Sequence, residues 1–160
     1  MTTLSTATYV HRGSLTLARA AVADYVAAKA YLRRDPGERR LFDRLEHAHG
    51  RYFTLRVNDR NDDSFDPSTD TIDWDPHSAM RTSNGGRQSP TLGLGHEVDH
   101  AVESPRREAQ LDARASVRFD NAEERRVIRG SELHAARTLG EGTRDDHFGR
   151  CHRVSSPTMR

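Results

Sequence analysis

Cysteine is almost missing from this 160-residue chain. Cys151 stands alone, which excludes an intramolecular disulfide and any cysteine-built zinc site, and suits a reducing compartment. Lysine is equally scarce: Lys29 is the single one, so arginine carries nearly all of the 25 basic residues, a bias that GC-rich coding explains. No apolar run approaches the roughly 18 residues of a membrane-spanning helix. Aromatics make up 6% and hydrophobics 34%, against 31% charged residues, which predicts a modest core under an ionic surface. With 24 acidic residues the net charge is +1, giving no strong pull toward nucleic acid or an anionic membrane. The densest basic area, Arg33, Arg34, Arg39 and Arg40, lacks interleaved aromatics, so a nucleic-acid reading is weak. Residues 1–13 lack the basic start and apolar block of a secretory signal, and their Ser/Thr-rich character predicts a flexible leader. The remaining span, 14–160, suits one domain, expected to be a monomer.

What is present centres on His96-Glu-Val-Asp-His100, an HExxH pattern. Ser89 can cap a helix and Pro90 suits its first position. At 3.6 residues per turn, His96 and His100 share one face, one turn apart, where two imidazoles can hold one metal ion. Glu97 lies about 100° round from His96, within reach of a metal-bound water as general base. Leu94, Val98, Ala101 and Val102 form the stripe that buries this helix, with Asp99 off it.

Around this helix the pattern predicts an α+β fold: N-terminal helices, a short antiparallel sheet, the HExxH helix and a following glutamate-bearing helix. Leu17, Ala21, Tyr25, Ala28 and Leu32 predict a helix over 14–33. Asp35-Pro36 opens a second, with Leu41, Phe42 and Leu45 inward and Gly50 as its stop. His47 and His49 near its end read as cations at a helix C-terminus rather than ligands. Residues 51–57 alternate as a strand with Phe53, Leu55 and Val57 on one side. Asp59, Asp62, Asp63, Asp66 and Asp70 lack a calcium-loop register and read as a solvated loop. Thr71–Asp75 reads as a short strand, stopped by Pro76, whose free edge could take an extended peptide; the competing reading makes Ile72 and Trp74 core residues of an interior strand. Asn84-Gly-Gly86 is a loop leading to the metal helix.

Two histidines need a third ligand. Glu103 and Arg106 occupy the positions where the longer HExxHxxGxxH pattern needs glycine and histidine, so that version fails. A glutamate from a later helix is the other solution, and residues 120–132 offer Glu123 and Glu124 just after Asn121. Glu124 lies one turn before both Val127 and Ile128 and is favoured; Glu123 stays open as the alternative. Arg144 and His147 are the candidate donors to a developing oxyanion, whereas His134 and His152 fall in no useful spacing.

Ile72-Asp-Trp-Asp-Pro76, Ser89-Pro90, the run 94–101, residues 121–132 and 136–144, and Asp146-His147 together resemble the NleD-type bacterial effector metallopeptidases, including XopG-like effectors. The resemblance covers roughly residues 70–150. It implies a small zincin-like metallopeptidase fold, a Zn²⁺ ion, and proteolysis of a protein substrate, a host signalling protein for some members. It also implies type III secretion and action in host cytoplasm. Where many members have Glu-Asn, this chain has Glu132-Leu133, which leaves the role of Glu132 unassigned. The expected chemistry is peptide hydrolysis by a metal-activated water with Glu97 as general base. A catalytically silent zinc-binding interaction module is the alternative, and it would keep its metal after Glu97→Gln.

Overall fold

The computed structural model describes residues 9–102, 114–116 and 118–160. Residues 1–8 of the expected leader, and Glu103 and Arg106, lie outside the described residues. The chain is α+β, and its main sheet has five strands in the order β1-β2-β3-β5-β4. These are β1 (Tyr9–Arg12), β2 (Leu15–Ala18), β3 (Phe53–Val57), β4 (Ser64–Asp66) and β5 (Thr71–Trp74).

This corrects the expected antiparallel sheet. β2 pairs with β3 and β3 with β5 in parallel, while β1 and β4 run antiparallel at the two edges. The parallel step from β2 to β3 is possible because two helices, α1 (Val22–Leu32) and α2 (Pro36–Glu46), lie between them in sequence.

The first predicted helix therefore begins later than residue 14, and residues 9–13 are not a free leader. Leu15 and Leu17 alternate with Thr16 and Ala18, a two-residue period that buries both leucines in a strand. Gly13 turns the hairpin at φ +58, and a Cβ there would lie 1.9 Å from the Glu46 carbonyl oxygen. The hairpin can thus press against the end of α2, where Ser14 N donates to Glu46 O at 2.9 Å. A 3₁₀ turn (Arg19–Ala21) follows, and α1 buries Tyr25, Ala28 and Leu32 as its spacing predicts.

Asp35 caps α2 by accepting from Gly37 N and Glu38 N, and Pro36 takes the first position. Phe42 and Leu45 are buried, Leu41 only partly, and the helix ends at Glu46, before Gly50.

Register puts Leu15, Leu17, Phe53, Leu55, Ile72 and Trp74 on one face of the sheet. That face joins α1, α2 and the HExxH helix α3 (Pro90–Val102) in a single core. Val57 lies on the same face at the strand end and stays 37% exposed. The opposite face carries an Arg56–Asp73 ion pair at 2.6 Å.

β5 is an interior strand, hydrogen-bonded to β3 on one side and β4 on the other. The expectation of a free substrate-binding edge along Thr71–Asp75 is overturned, because β3 takes one side of the strand and β4 covers Thr71–Asp73 on the other.

A second sheet, ordered β10-β6-β7, is formed by β6 (Ser78–Thr82), β7 (Arg87–Gln88) and β10 (Gly149–Arg153). Asn84-Gly85-Gly86 closes the β6–β7 hairpin, with Gly85 at φ +89. β8 (Arg114–Ser116) and β9 (Phe119–Asn121) pair before α4 (Ala122–Val127), a π-helical turn (Ile128–Glu132) and α5 (Leu133–Leu139), which Gly140 ends in the left-handed conformation.

Candidate metal centre

The HExxH helix is capped by its own Ser89 and pinned at its start by three other parts of the chain. Ser89 Oγ accepts from Leu92 N at 3.3 Å, and Ser89 itself donates through N and Oγ to the buried carboxylate of Glu141. Trp74 Nε1 donates to Pro90 O at 2.8 Å, tying β5 to the first turn. Thr91 donates through N and Oγ1 to Pro157 O. These bonds fix how far α3 can slide or rotate, and so where His96 and His100 point.

Burial extends beyond the expected apolar stripe. Asp99 is 2% exposed rather than solvated. It is tolerated because Arg126 reaches it from α4 at 2.8 and 3.2 Å and Ser131 Oγ donates to it. Arg126 also grips Glu123, so one guanidinium fixes the distance between the two helices that carry the site.

Three side chains converge. His96 Nε2 and His100 Nε2 are 3.0 Å apart; Glu124 Oε2 is 3.0 Å from the first and Glu124 Oε1 3.2 Å from the second. His96, His100 and Glu124 form a group that could hold a metal ion. For ligand bonds of about 2.0–2.1 Å, a tetrahedral ion needs ligand atoms about 3.3–3.4 Å apart, so a shift of a few tenths of an ångström accommodates zinc. The donor set, two imidazoles and a carboxylate, fits the same ion.

Glu123 and Glu124 are thereby separated. Asn121 caps α4 by accepting from Glu124 N at 2.8 Å, which sets the first turn. Glu124 turns toward the two Nε2 atoms, whereas Glu123 lies behind, 3.4 Å from His100 Nδ1. On the other histidine Glu132 plays the corresponding part, 2.8 Å from His96 Nδ1. Both rings thus have Nδ1 beside a carboxylate and Nε2 turned to the shared point, the arrangement that orients metal-binding histidines.

Burial alone would lower the His96 pKa, but Glu124 and Glu132 override it and raise it to about 10. Burial would raise Glu132, yet Arg144 and His96 hold it down at about 2. Glu123 is likewise held at about 2 against burial, by His100 and Arg126. Glu124 lies well below the usual range, where His100, His147 and His96 outweigh burial. Glu97 goes the other way: burial raises it, and the two histidines only partly oppose this.

Glu97 lines a cavity of about 240 Å³ together with His96, Glu132, Arg144 and His147. Arg144 is brought to the site, but its Nε and Nη2 bind Glu132 at 2.7 and 2.6 Å. Those bonds hold that carboxylate charged, while Arg144 still lines the cavity as expected of a candidate oxyanion donor. His147 is partly exposed, with Nδ1 2.6 Å from Asp120 and Nε2 3.2 Å from Glu124. His134 pairs with Asp35, away from the cavity.

Sequence reasoning left Glu132 unassigned and read Asp63 as part of a solvated loop; Asp63 lines the same cavity. In a regular helix Glu132 would sit about 80° round from Glu124. The extra residue of the π turn sets the face back by about 100° and swings Glu132 to the histidine side. Gly130, non-helical at φ −105 and ψ −105, is the one sequence signal of that distortion. Comparison of the chain with protein-family models, with curated proteins and with solved structures finds no significant match to any of the three.

Proposed function

We propose that this chain is a zinc-dependent endopeptidase of zincin-like type, with His96, His100 and Glu124 as metal ligands. One observation carries the reading: two imidazole Nε2 atoms and one carboxylate meet within 3.0–3.2 Å, each imidazole backed by its own carboxylate, beside the uncommitted Glu97. The ion supplies Lewis acidity toward a carbonyl and toward water. Glu97, which accepts no hydrogen bond from another described residue, takes the proton of the attacking water and passes it to the departing amine nitrogen. Its raised affinity for protons suits a base that must also release one to an amine. Glu132 and Glu123 orient the rings, and Arg144 keeps Glu132 charged. His147 faces the cavity as the candidate donor to the developing oxyanion.

The substrate is a protein, and the resemblance to secreted effector peptidases makes a host signalling protein the proposed class. Metal analysis and peptidase assays test the reading. One zinc per chain is expected, lost in His96→Ala and retained in Glu97→Gln, which loses proteolysis. Full peptidase activity in a chelated, metal-free sample would overturn it; zinc binding with no cleavage of any protein leaves an interaction module instead.

A further inference from the structure

The cavity beside Glu97 has an acidic wall that the hydrolytic chemistry does not use. Asp63 stands on it, just before β4, and its carboxylate is fixed from one side only: Oδ1 accepts from Asp75 N at 2.7 Å. The second oxygen has no hydrogen-bond partner among the described residues, and no arginine, lysine or histidine lies within ion-pair distance of it.

The segment leading to Asp63 is built rather than loose. Asn58 N donates to Trp74 O, Asn58 Nδ2 to Asp62 O, and Asn61 N to Asp75 Oδ2 at 3.0 Å. Asn61 takes φ +55, a conformation asparagine tolerates better than most residues. Asp75, fully buried, is itself neutralised by Arg153 at 2.6 Å. The loop is therefore tied to the end of β5 and holds Asp63 against α3.

Space has been left for it there. A Cβ at Gly93, one turn before His96, would lie 2.5 Å from Asp63 Oδ2. The groups of opposite sign in the cavity are engaged elsewhere, His96 by Glu124 and Glu132, Arg144 by Glu132, and His147 by Asp120 and Glu124. A carboxyl that is positioned, half-buried and left without a cationic partner by the protein is one that a cationic ligand can match.

We propose that Asp63 selects substrates that place a positively charged nitrogen group, an arginine or lysine side chain, in the cavity next to the bond that is cut. This rests on the endopeptidase reading for the word substrate, but the recognition itself is a binding property. Burial, with Glu97 and Asp75 nearby, pushes the Asp63 carboxyl up to about 8. A carboxylate that costly to ionise alone gains most from a cationic partner.

The test separates recognition from cleavage. Zinc-loaded Glu97→Gln protein is titrated with N-acetylated peptides that carry arginine, glutamine or glutamate at one scanned position, and with an unblocked peptide lacking basic side chains. At one position the arginine peptide should bind about tenfold or more tighter than the glutamate peptide. Adding Asp63→Asn, which retains the oxygen that accepts from Asp75 N, should abolish that preference without moving zinc content or melting temperature. Gly93→Ala, which crowds Asp63, should weaken it in the same direction.

Equal binding of the three acetylated peptides, no binding of any, or a preference that survives Asp63→Asn overturns the proposal. Preference for the unblocked peptide alone overturns it in favour of an α-amino group as the cation. Zinc-dependent cleavage by the wild type without charge preference would leave the endopeptidase reading standing. Charge-selective binding without cleavage would do the reverse.

Discussion

His96 Nδ1 lies 2.8 Å from Glu132 Oε2, and this contact decides which nitrogen of His96 faces Glu124. Glu132 is ionised and can only accept, so Nδ1 carries the proton. Arg144 Nη2 also lies 3.2 Å from Nδ1, but two donors cannot bond each other, and that guanidinium instead saturates Glu132. Nε2 is left as the nitrogen that faces Glu124 and the shared site, and a metal ion bound there would displace its proton.

Glu132→Gln should therefore weaken zinc binding about 10- to 100-fold while leaving zinc stoichiometry at one under saturating metal. A chelator-competition titration measures it. The variant keeps an acceptor for His96 but loses the charge that Arg144 neutralises, so some loss of stability is expected with it. Unchanged affinity would show that Glu132 does not position His96.

Glu124→Ala should lose most zinc, since it removes a ligand atom. Glu123→Ala should lose less, within the range of an orienting carboxylate, because it acts through His100 Nδ1 and Arg126. Parallel metal analysis of the two purified variants decides the order. A larger loss from Glu123→Ala would mean that Glu123, not Glu124, reaches the ion.

Glu38 is 1% exposed, packs beside Gly95 of the metal helix, and leaves Oε2 without a partner. Burial, with Asp35, Asp99 and Glu132 adding to it, pushes its carboxyl up to about 8. The folded chain thus keeps a proton that the unfolded chain releases near 4.5. The stability this contributes is complete below that value and is lost as pH rises to about 8, at roughly 1.4 kcal/mol per pH unit. Glu38→Gln has no proton to lose, so its advantage over wild type should grow between pH 5 and pH 8. Denaturant unfolding across that range checks it, and a pH-independent difference would sink the idea.

Asp73→Pro should unfold the domain rather than merely raise KM. Asp73 sits opposite Arg56 of β3 and Ser64 of β4, in a strand flanked on both sides. Proline removes a ladder donor and is confined to edge strands and bulges, so a strand paired on both sides does not tolerate it. Thermal melts give the answer: an unchanged melting temperature would contradict an interior β5.

The parts of this protein that depend on near neighbours in sequence were legible in it. The i, i+4 spacing of His96 and His100, the Ser89-Pro90 start, the Asp35 cap and the alternation of β3 are local rules, each satisfied within one turn or one strand. The same local rules misread residues 14–18. Leucines at 15 and 17 fit a strand or extend a helical stripe equally well, and only pairing with β3 settles them.

What tertiary structure decided was anything that rests on contact between distant segments. β5 became interior because β4 folds back along it, so an edge suggested by order along the chain was not an edge in space. Glu123 and Glu124 are adjacent and alike in chemistry. The rotation of α4 set by Asn121, and the Arg126 bridge to Asp99, turn one toward the histidines and the other behind them. Glu132 depends on one extra residue in a π turn, and Asp63 on bonds that its neighbours make with the end of β5. Sequence determined which residue types were available for a metal site, because side-chain chemistry and helical period are properties of the local chain. Which of them faces the shared point, which stands behind a ring and which lines the cavity was decided by packing, because a difference of one helical position is visible only against the partner it faces.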